Sequence, residues 1–240
     1  MSGHSKWSTI KRAKGLKDAK RGAIFTKLGN LISIAAREKG GDLDTNFSLR
    51  MAVDKAKGAN MPKDNITRAI KRGTGELKGG HIEELTYEGL GPVKSQFILK
   101  ILTDNKNRSA SEIRHLFSKY GGSLSSVLWN FSKKGIIRID AKNIEKNSWE
   151  GLELELIDAG ADDIIKEDEG ITIYTLVEDL QKVKNFLENK NIKTESAEIE
   201  YIAKDEKKFE GESEEKIKKF IEELEDNGDV SDYYHNISNI

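Results

Sequence analysis

The side chains able to do chemistry in this sequence are mainly cations, and they crowd the front of the chain. Lys6, Lys11, Arg12, Lys14, Lys17, Lys20 and Arg21 stand against one acid, Asp18, within the first 22 residues. On a helix, Lys14, Lys17 and Arg21 fall at i, i+3 and i+7 with Lys11 beside them, which makes one stripe. Such a stripe can lie along a phosphate backbone, where release of condensed counterions supplies salt-sensitive affinity. Lys27, Arg50, Lys55, Lys57, Lys63, Arg68, Lys71 and Arg72 continue the series. Trp7 sits inside Gly3-His4-Ser5-Lys6-Trp7. An indole beside cations can stack on a nucleobase, worth ~1–3 kcal/mol per base. It can equally close a small helical core as a lid, and the residues leave both readings open. A third feature is Thr103-Asp104-Asn105-Lys106-Asn107-Arg108, between a predicted strand and a predicted helix. Polar donors beside a helix N-terminus can bind an anion. The same residues make an ordinary turn, with Asn107 or Ser109 as the cap, and that is the preferred reading.

The charge is distributed unevenly. Residues 1–80 hold 18 Lys+Arg against 7 Asp+Glu, a net +11. Residues 81–140 hold 9 against 6, or +3, and residues 141–240 hold 13 against 28, or −15. The overall charge of −1 hides this polarity. A lysine-rich surface kept only for solubility is the competing reading, but so large a local imbalance favours a polyanionic partner. The acidic third could bind a basic protein, fold back on the basic third or mimic nucleic acid. A solvated negative face is the preferred reading.

These side chains need elements to position them. Ile24, Leu28, Leu31, Ile32 and Ala35 share one helical face over Arg21 to Lys39, ended by Gly40-Gly41. Asp44 suits the N-cap of a second helix with Leu49, Val53 and Ala56 inward, closed by Gly58. Pro62 suits the first turn of a third, with Ile66, Ala69 and Ile70 inward and Gly73 as the stop. Three short helices read as a bundle. After a glycine-rich linker from Thr74 to Gly80 the period changes. Strands are predicted at Leu85 to Glu88, Gln96 to Leu102, Ser126 to Phe131 and Ile136 to Ile139, with Lys133-Lys134-Gly135 as a turn. Ser109 to Tyr120 reads as a helix. A helix at Trp149 to Ala159, strands at Asp163 to Glu167 and Gly170 to Thr175, a helix at Val177 to Asn189 and a strand at Ala197 to Tyr201 follow. An acidic helix at Ser213 to Asp226 and a strand at Val230 to His235 close the chain. The fold class is therefore α+β, with antiparallel sheets covered by helices on one face.

The motifs of catalysis do not occur. The sequence contains no Walker A, dinucleotide fingerprint, H-E-x-x-H or G-x-S-x-G. His4, His81, His115 and His235 lack metal-ligand spacing, and there is no cysteine. The expectation is a non-enzyme without metal, cofactor or small-molecule substrate. The polar N-terminus and short apolar runs predict a soluble, non-secreted, cytoplasmic protein that does not enter a membrane.

Several strings carry a resemblance: Gly3-His4-Ser5-Lys6-Trp7, Asp18-Ala19-Lys20-Arg21-Gly22, Phe25-Thr26-Lys27-Leu28, Asn60-Met61-Pro62-Lys63, Arg68-Ala69-Ile70 with Arg72-Gly73, Tyr87-Glu88-Gly89 with Gly91-Pro92, Thr103-Asp104-Asn105 with Asn107-Arg108, Phe131-Ser132-Lys133-Lys134-Gly135 and Tyr234-His235-Asn236. They run nearly end to end and resemble the YebC/PmpR family, which includes a mitochondrial translational activator. The resemblance implies three domains, a helical bundle and two α/β sandwiches: 1–78, then 79–134 completed by 204–240, with 135–203 inserted. It implies a regulator of gene expression, either a DNA-binding transcriptional regulator or a ribosome-associated, rRNA-binding translation factor. A protein-interaction adaptor is the rival from another class. The residues it points to for nucleic-acid contact are His4, Lys6, Trp7, Lys11, Lys14, Lys17, Lys20, Arg21 and Lys27, then Arg68 and Arg72. Two departures stand out. The stretch after Gly121-Gly122-Ser123-Leu124 is about three residues shorter than the family pattern. Gly29-Asn30 replaces a commonly charged pair, which should weaken the first helix by ~1 kcal/mol and thin the basic stripe. No helix-turn-helix with base-reading side chains is evident in the sequence.

Overall fold

In the computed structural model, residues 18–143 and 149–240 are described, with side chains from 21–143 and 151–240. Helices α1 (Asp18–Lys39), α2 (Phe47–Gly58) and α3 (Lys63–Gly73) form the basic bundle. Leu28, Ile32 and Ala35 of α1 meet Leu49, Val53 and Ala56 of α2 and Ile66 and Ala69 of α3, so the 3.6-residue period reads out as a core. Ile24, Leu31 and Ile70 pack at its margin. The N-cap of α2 is Asn46, not Asp44: its Oδ1 accepts from Leu49 N at 3.0 Å, while its Nδ2 donates to the Ala35 and Gly40 carbonyls at 2.8 Å. Those two donations tie the cap to the end of α1, and an Asp has no N–H to make them. Asp42, just upstream, accepts from Asp44 N instead.

Two glycines of the bundle behave oppositely. A Cβ on Gly73 would stand 2.4 Å from the Ser33 carbonyl oxygen and 2.7 Å from the Ala36 Cβ, so α1 and α3 meet there backbone to backbone. A Cβ on Gly29 would find its nearest neighbours at 3.7–3.9 Å, ordinary van der Waals contact. Gly73→Ala should therefore cost ~1–3 kcal/mol by overpacking, whereas Gly29→Ala should add ~1 kcal/mol by removing backbone freedom from a helix interior. Urea unfolding of the two variants checks this, and shifts of the same sign would refute the packing difference. Asn30 has a use that the sequence does not show: its Oδ1 accepts from Arg72 Nη2 at 3.0 Å.

The next layer is a sheet of order β3-β1-β2-β8: β1 (Glu83–Leu90), β2 (Gln96–Thr103), β3 (Ser123–Leu124) and β8 (Val230–His235). Helices α4 (Lys106–Lys119) and α7 (Glu212–Asp226) cover one face. Phe97, Leu99 and Ile101, alternate residues of β2, pack with Ile113, Leu116 and Phe117 of α4 and Ile217, Phe220 and Leu224 of α7. The strand between them in sequence, β4 (Phe131–Asp140), is continuous. The predicted break at Lys133-Lys134-Gly135 is thus overturned. Gly135 pairs with Thr175 within the strand, and only glycine fits there because a Cβ would come within 2.3 Å of Thr175 Oγ1. The predicted strand Ser126 to Phe131 is instead a loop and a short 3-10 turn, Leu128–Asn130.

β4 enters a second compact unit, Lys133–Tyr201, while the rest of the chain with Ile202–Ile240 forms the first. The second unit continues with α5 (Trp149–Ala159), β5 (Ala161–Glu167), β6 (Gly170–Thr175), α6 (Leu180–Asn189) and β7 (Ser196–Ala203). Its sheet order is β5-β6-β4-β7, which with this βαββαβ sequence is the ferredoxin-like arrangement. Both sheets are antiparallel and the fold is α+β. Among the described residues no helix is long and apolar enough to cross a membrane.

Candidate nucleic-acid interface

The structure sorts the predicted contact residues into those facing solvent and those facing the protein. His4, Lys6, Trp7, Lys11, Lys14 and Lys17 lie outside the described residues, and Lys20 is placed by backbone alone, in the first turn of α1. Arg21 and Arg68 are exposed. Lys27 and Arg72 are turned inward. The Lys27 ammonium donates to the Glu225 carbonyl at the end of α7, 3.1 Å away. Burial lowers its pKa, and Asp232, Glu225, Asp226 and Asp229 push the other way. Arg72 reaches from α3 to α1: its Nε donates to Ser33 Oγ at 3.0 Å and its Nη2 to Asn30. The Ser33 hydroxyl in turn reaches the Ala69 carbonyl at 2.8 Å. These two cations hold elements together, a use that a count of charges cannot reveal.

Exposed cations lie on α1 and α2, at Arg37, Lys39 and Lys57, and three more share one face of α3. It follows α2 after the four-residue turn Ala59-Asn60-Met61-Pro62, in which Asn60 takes the left-handed conformation at φ 58°. Lys63, Thr67, Arg68 and Lys71 are exposed. At 100° per residue they span about 140° of the helix surface. A helix, a short turn and a second helix are therefore present as the sequence predicts, and the second carries an exposed basic face that the sequence reading did not single out. The signal was in the i, i+4, i+8 spacing of Lys63, Thr67 and Lys71.

The loop Thr103 to Arg108 is filled from within. Asn105, not Asn107 or Ser109, caps α4, accepting from Arg108 N at 3.1 Å. Ser109 is buried and its hydroxyl lies 2.6 Å from Asp229 Oδ2, while Arg108 Nη2 lies 3.1 Å from the same oxygen. That hydrogen bond to Asp229 leads the interactions that raise the Arg108 pKa. A carboxylate of the protein itself thus occupies the place an anion could have taken. The acidic third also folds back in part: Lys55 pairs with Asp232 at 3.1 Å, close to Lys27 and its carboxylates. Elsewhere its acids pair on the surface, as in Lys119–Glu223 and Lys190–Glu155.

A salt titration separates the two groups of cations. Replacing Arg68 and Lys71 by Ala should lower the slope of log K against log salt by about 2 on duplex DNA, at ~0.9 per lost phosphate contact. Lys27→Ala and Arg72→Ala should leave the slope unchanged and lower the melting midpoint instead. Equal slope changes in both pairs would contradict the assignment.

Comparison with known proteins covers the whole arrangement. Residues 5–76 match the profile described as the TACO1/YebC protein N-terminal domain, and residues 82–237 match the TACO1/YebC second and third domain. A probable transcriptional regulatory protein of Thermoanaerobacter pseudethanolicus is 48% identical over 99% of this chain and 97% of its own. One from Thermotoga maritima is 48% identical over 98% of this chain and 93% of its own. The crystal structure of a conserved hypothetical protein from Aquifex aeolicus superposes with a TM-score of 0.81 at 38% identity, covering 92% of this chain and 91% of that one. With the first profile falling on the helical bundle and the second on both sheets, the chain belongs to the TACO1/YebC family.

Proposed function

We propose that the protein is a non-enzymatic regulator of gene expression that binds nucleic acid through its basic first third. The observation that carries this reading is the charge left exposed after folding. Lys27, Lys55 and Arg72 are engaged within the protein, yet Lys63, Arg68 and Lys71 still face solvent. The names of the relatives, probable transcriptional regulatory proteins, support a regulatory role. No cofactor or small-molecule substrate enters this reading, and the cytoplasm is the proposed location.

Two nucleic-acid targets fit, each with its own support. The basic face of α3 after a short turn suits a duplex groove, as a transcriptional regulator requires. The cation-rich segment 1–21 suits the irregular surface of folded RNA, with the ribosome as partner. Crosslinking in cells, with sequencing of the DNA and RNA recovered, decides between them. Discrete DNA sites would establish the transcriptional reading, and ribosomal RNA lost on removal of residues 1–21 would establish the translational one. Recovery of neither would overturn the proposal in favour of a protein adaptor.

A further inference from the structure

We infer that the turn carrying Trp129 is a stacking platform for an unpaired nucleobase, a second contact that rests on the nucleic-acid reading above. Trp129 is 66% exposed, and its neighbour Leu128 is 41% exposed. A large aromatic left so bare is uncommon in a folded protein, because each such ring keeps apolar area in water. A loose loop could account for the exposure, but this turn is fixed on both sides. Upstream, Glu88 Oε2 accepts from Val127 N at 2.8 Å, Leu128 N at 2.7 Å and Ser126 Oγ at 3.2 Å, and Val127 itself is buried. Downstream, Asn130 is buried, donating to Gln96 Oε1 at 2.5 Å and to the Asp205 carbonyl at 3.0 Å, and accepting from Asp205 N at 2.9 Å. The indole is therefore presented outward from a rigid backbone, which spares a ligand the entropy of ordering it.

Two further observations point to the chemistry of the occupant. The Lys204 ammonium donates to the Trp129 backbone carbonyl at 3.0 Å, which fixes a cation to the turn that carries the indole. Asn130 also joins this turn, through Gln96, to the end of a second one, Gly91 to Ser95. There Val93 (φ 50°, ψ 31°) and Lys94 (φ 60°) are both left-handed and both exposed. A β-branched residue in that region is a genuine outlier and is strained. Ser95, whose hydroxyl donates to the Pro92 carbonyl at 2.6 Å and whose carbonyl accepts from Gly91 N at 2.7 Å, holds the strain in place. The result is an exposed Val–Lys pair and an exposed Trp with a lysine on its carbonyl, on two turns tied together by one hydrogen bond between the Asn130 and Gln96 amides. Flat apolar surface edged by ammonium groups is what single-stranded nucleic acid requires: the ring meets the base and the cations meet the phosphates on either side. A paired base hides its face in the stack, so the ligand is a base in a loop, a bulge or a separated strand.

The test is fluorescence anisotropy with labelled 12-residue oligouridine, oligothymidine and a mixed-sequence DNA duplex, using the full chain, Trp129→Ala and Trp129→Phe, with circular dichroism to verify folding. Trp129→Ala should weaken single-strand binding about tenfold or more, within the range measured for loss of one stacked base. Trp129→Phe should keep most of it, the duplex should be unaffected, and the salt slope should not change because no cation is removed. Tighter binding of oligouridine or of oligothymidine identifies RNA or DNA as the source of the base. Equal affinity of Trp129→Ala and wild type would overturn the platform and leave the nucleic-acid reading intact, as would a wild type that binds only the duplex. A wild type that binds none of the three would remove both.

Discussion

Replacing Glu200 by Ala should destabilise the second unit by ~3–5 kcal/mol, the cost of leaving a buried charge without its partner. The partner is Arg138. Its Nη1 and Nη2 meet Glu200 Oε1 and Oε2 at 2.5 and 3.1 Å, and the side chains are 2% and 3% exposed. The pair is bidentate, the strongest geometry open to these groups. It links β4 to β7, the strands by which the chain enters and leaves the unit. Burial acts against the guanidinium charge, and Glu200 more than offsets it, so the Arg138 pKa ends above its ordinary value. Even so, the Nε of Arg138 is buried without a hydrogen-bond partner. The pair is therefore costly to break without being an efficient source of stability. Arg138→Met with Glu200→Leu should fall far closer to wild type than Glu200→Ala alone, because the desolvation penalty disappears with the charges. Equilibrium unfolding in urea, with hydrogen exchange read over residues 133–201, measures both. A double variant as unstable as the single one would show that the charges themselves hold the strands.

What the sequence made legible, and what it did not, follows from the range of the forces involved. Helix periodicity is a local property, and it places Leu28, Ile32 and Ala35 or Leu49, Val53 and Ala56 on inner faces without knowledge of any contact. β8 was bounded at Val230 and His235 for the same reason. Caps failed by two to four residues where a distant group made the choice: Asn46 over Asp44 because of the Ala35 and Gly40 carbonyls, and Asn105 in place of Asn107 or Ser109, the hydroxyl of the latter having turned to Asp229. Glycine misled once. Gly135 looked like a turn residue and is a close approach to Thr175, whereas Gly29, read as a weakness of the first helix, has room for a Cβ and no packing reason to be glycine.

The same division runs through the candidate interface. Composition established that the first third is basic, but a lysine facing Glu225 and a lysine facing water are identical in sequence. Reading Ser126 to Phe131 as a strand hid Trp129, because the Glu88 carboxylate that bends this segment is about 40 residues away. Short-range patterns located the elements, while side-chain partners far along the chain settled which residues remain available to a ligand.

The arm offers the other large effect, and it falls on binding rather than on folding. Replacing Lys17, Lys20 and Arg21 by Ala should lower the salt slope by about 3 on duplex DNA and about 2 on single strands. Raising salt from about 50 to 200 mM would then weaken the wild type on duplex about forty-fold more than the variant. The loss should be nearly uniform across sequences, since phosphates carry no base identity. Stability should move little, since Arg21 is exposed and substitutions on an exposed surface usually shift stability by less than about 0.5 kcal/mol. A variant with an unchanged slope and a lower melting midpoint would place these three side chains in the fold and move the phosphate contacts to α3.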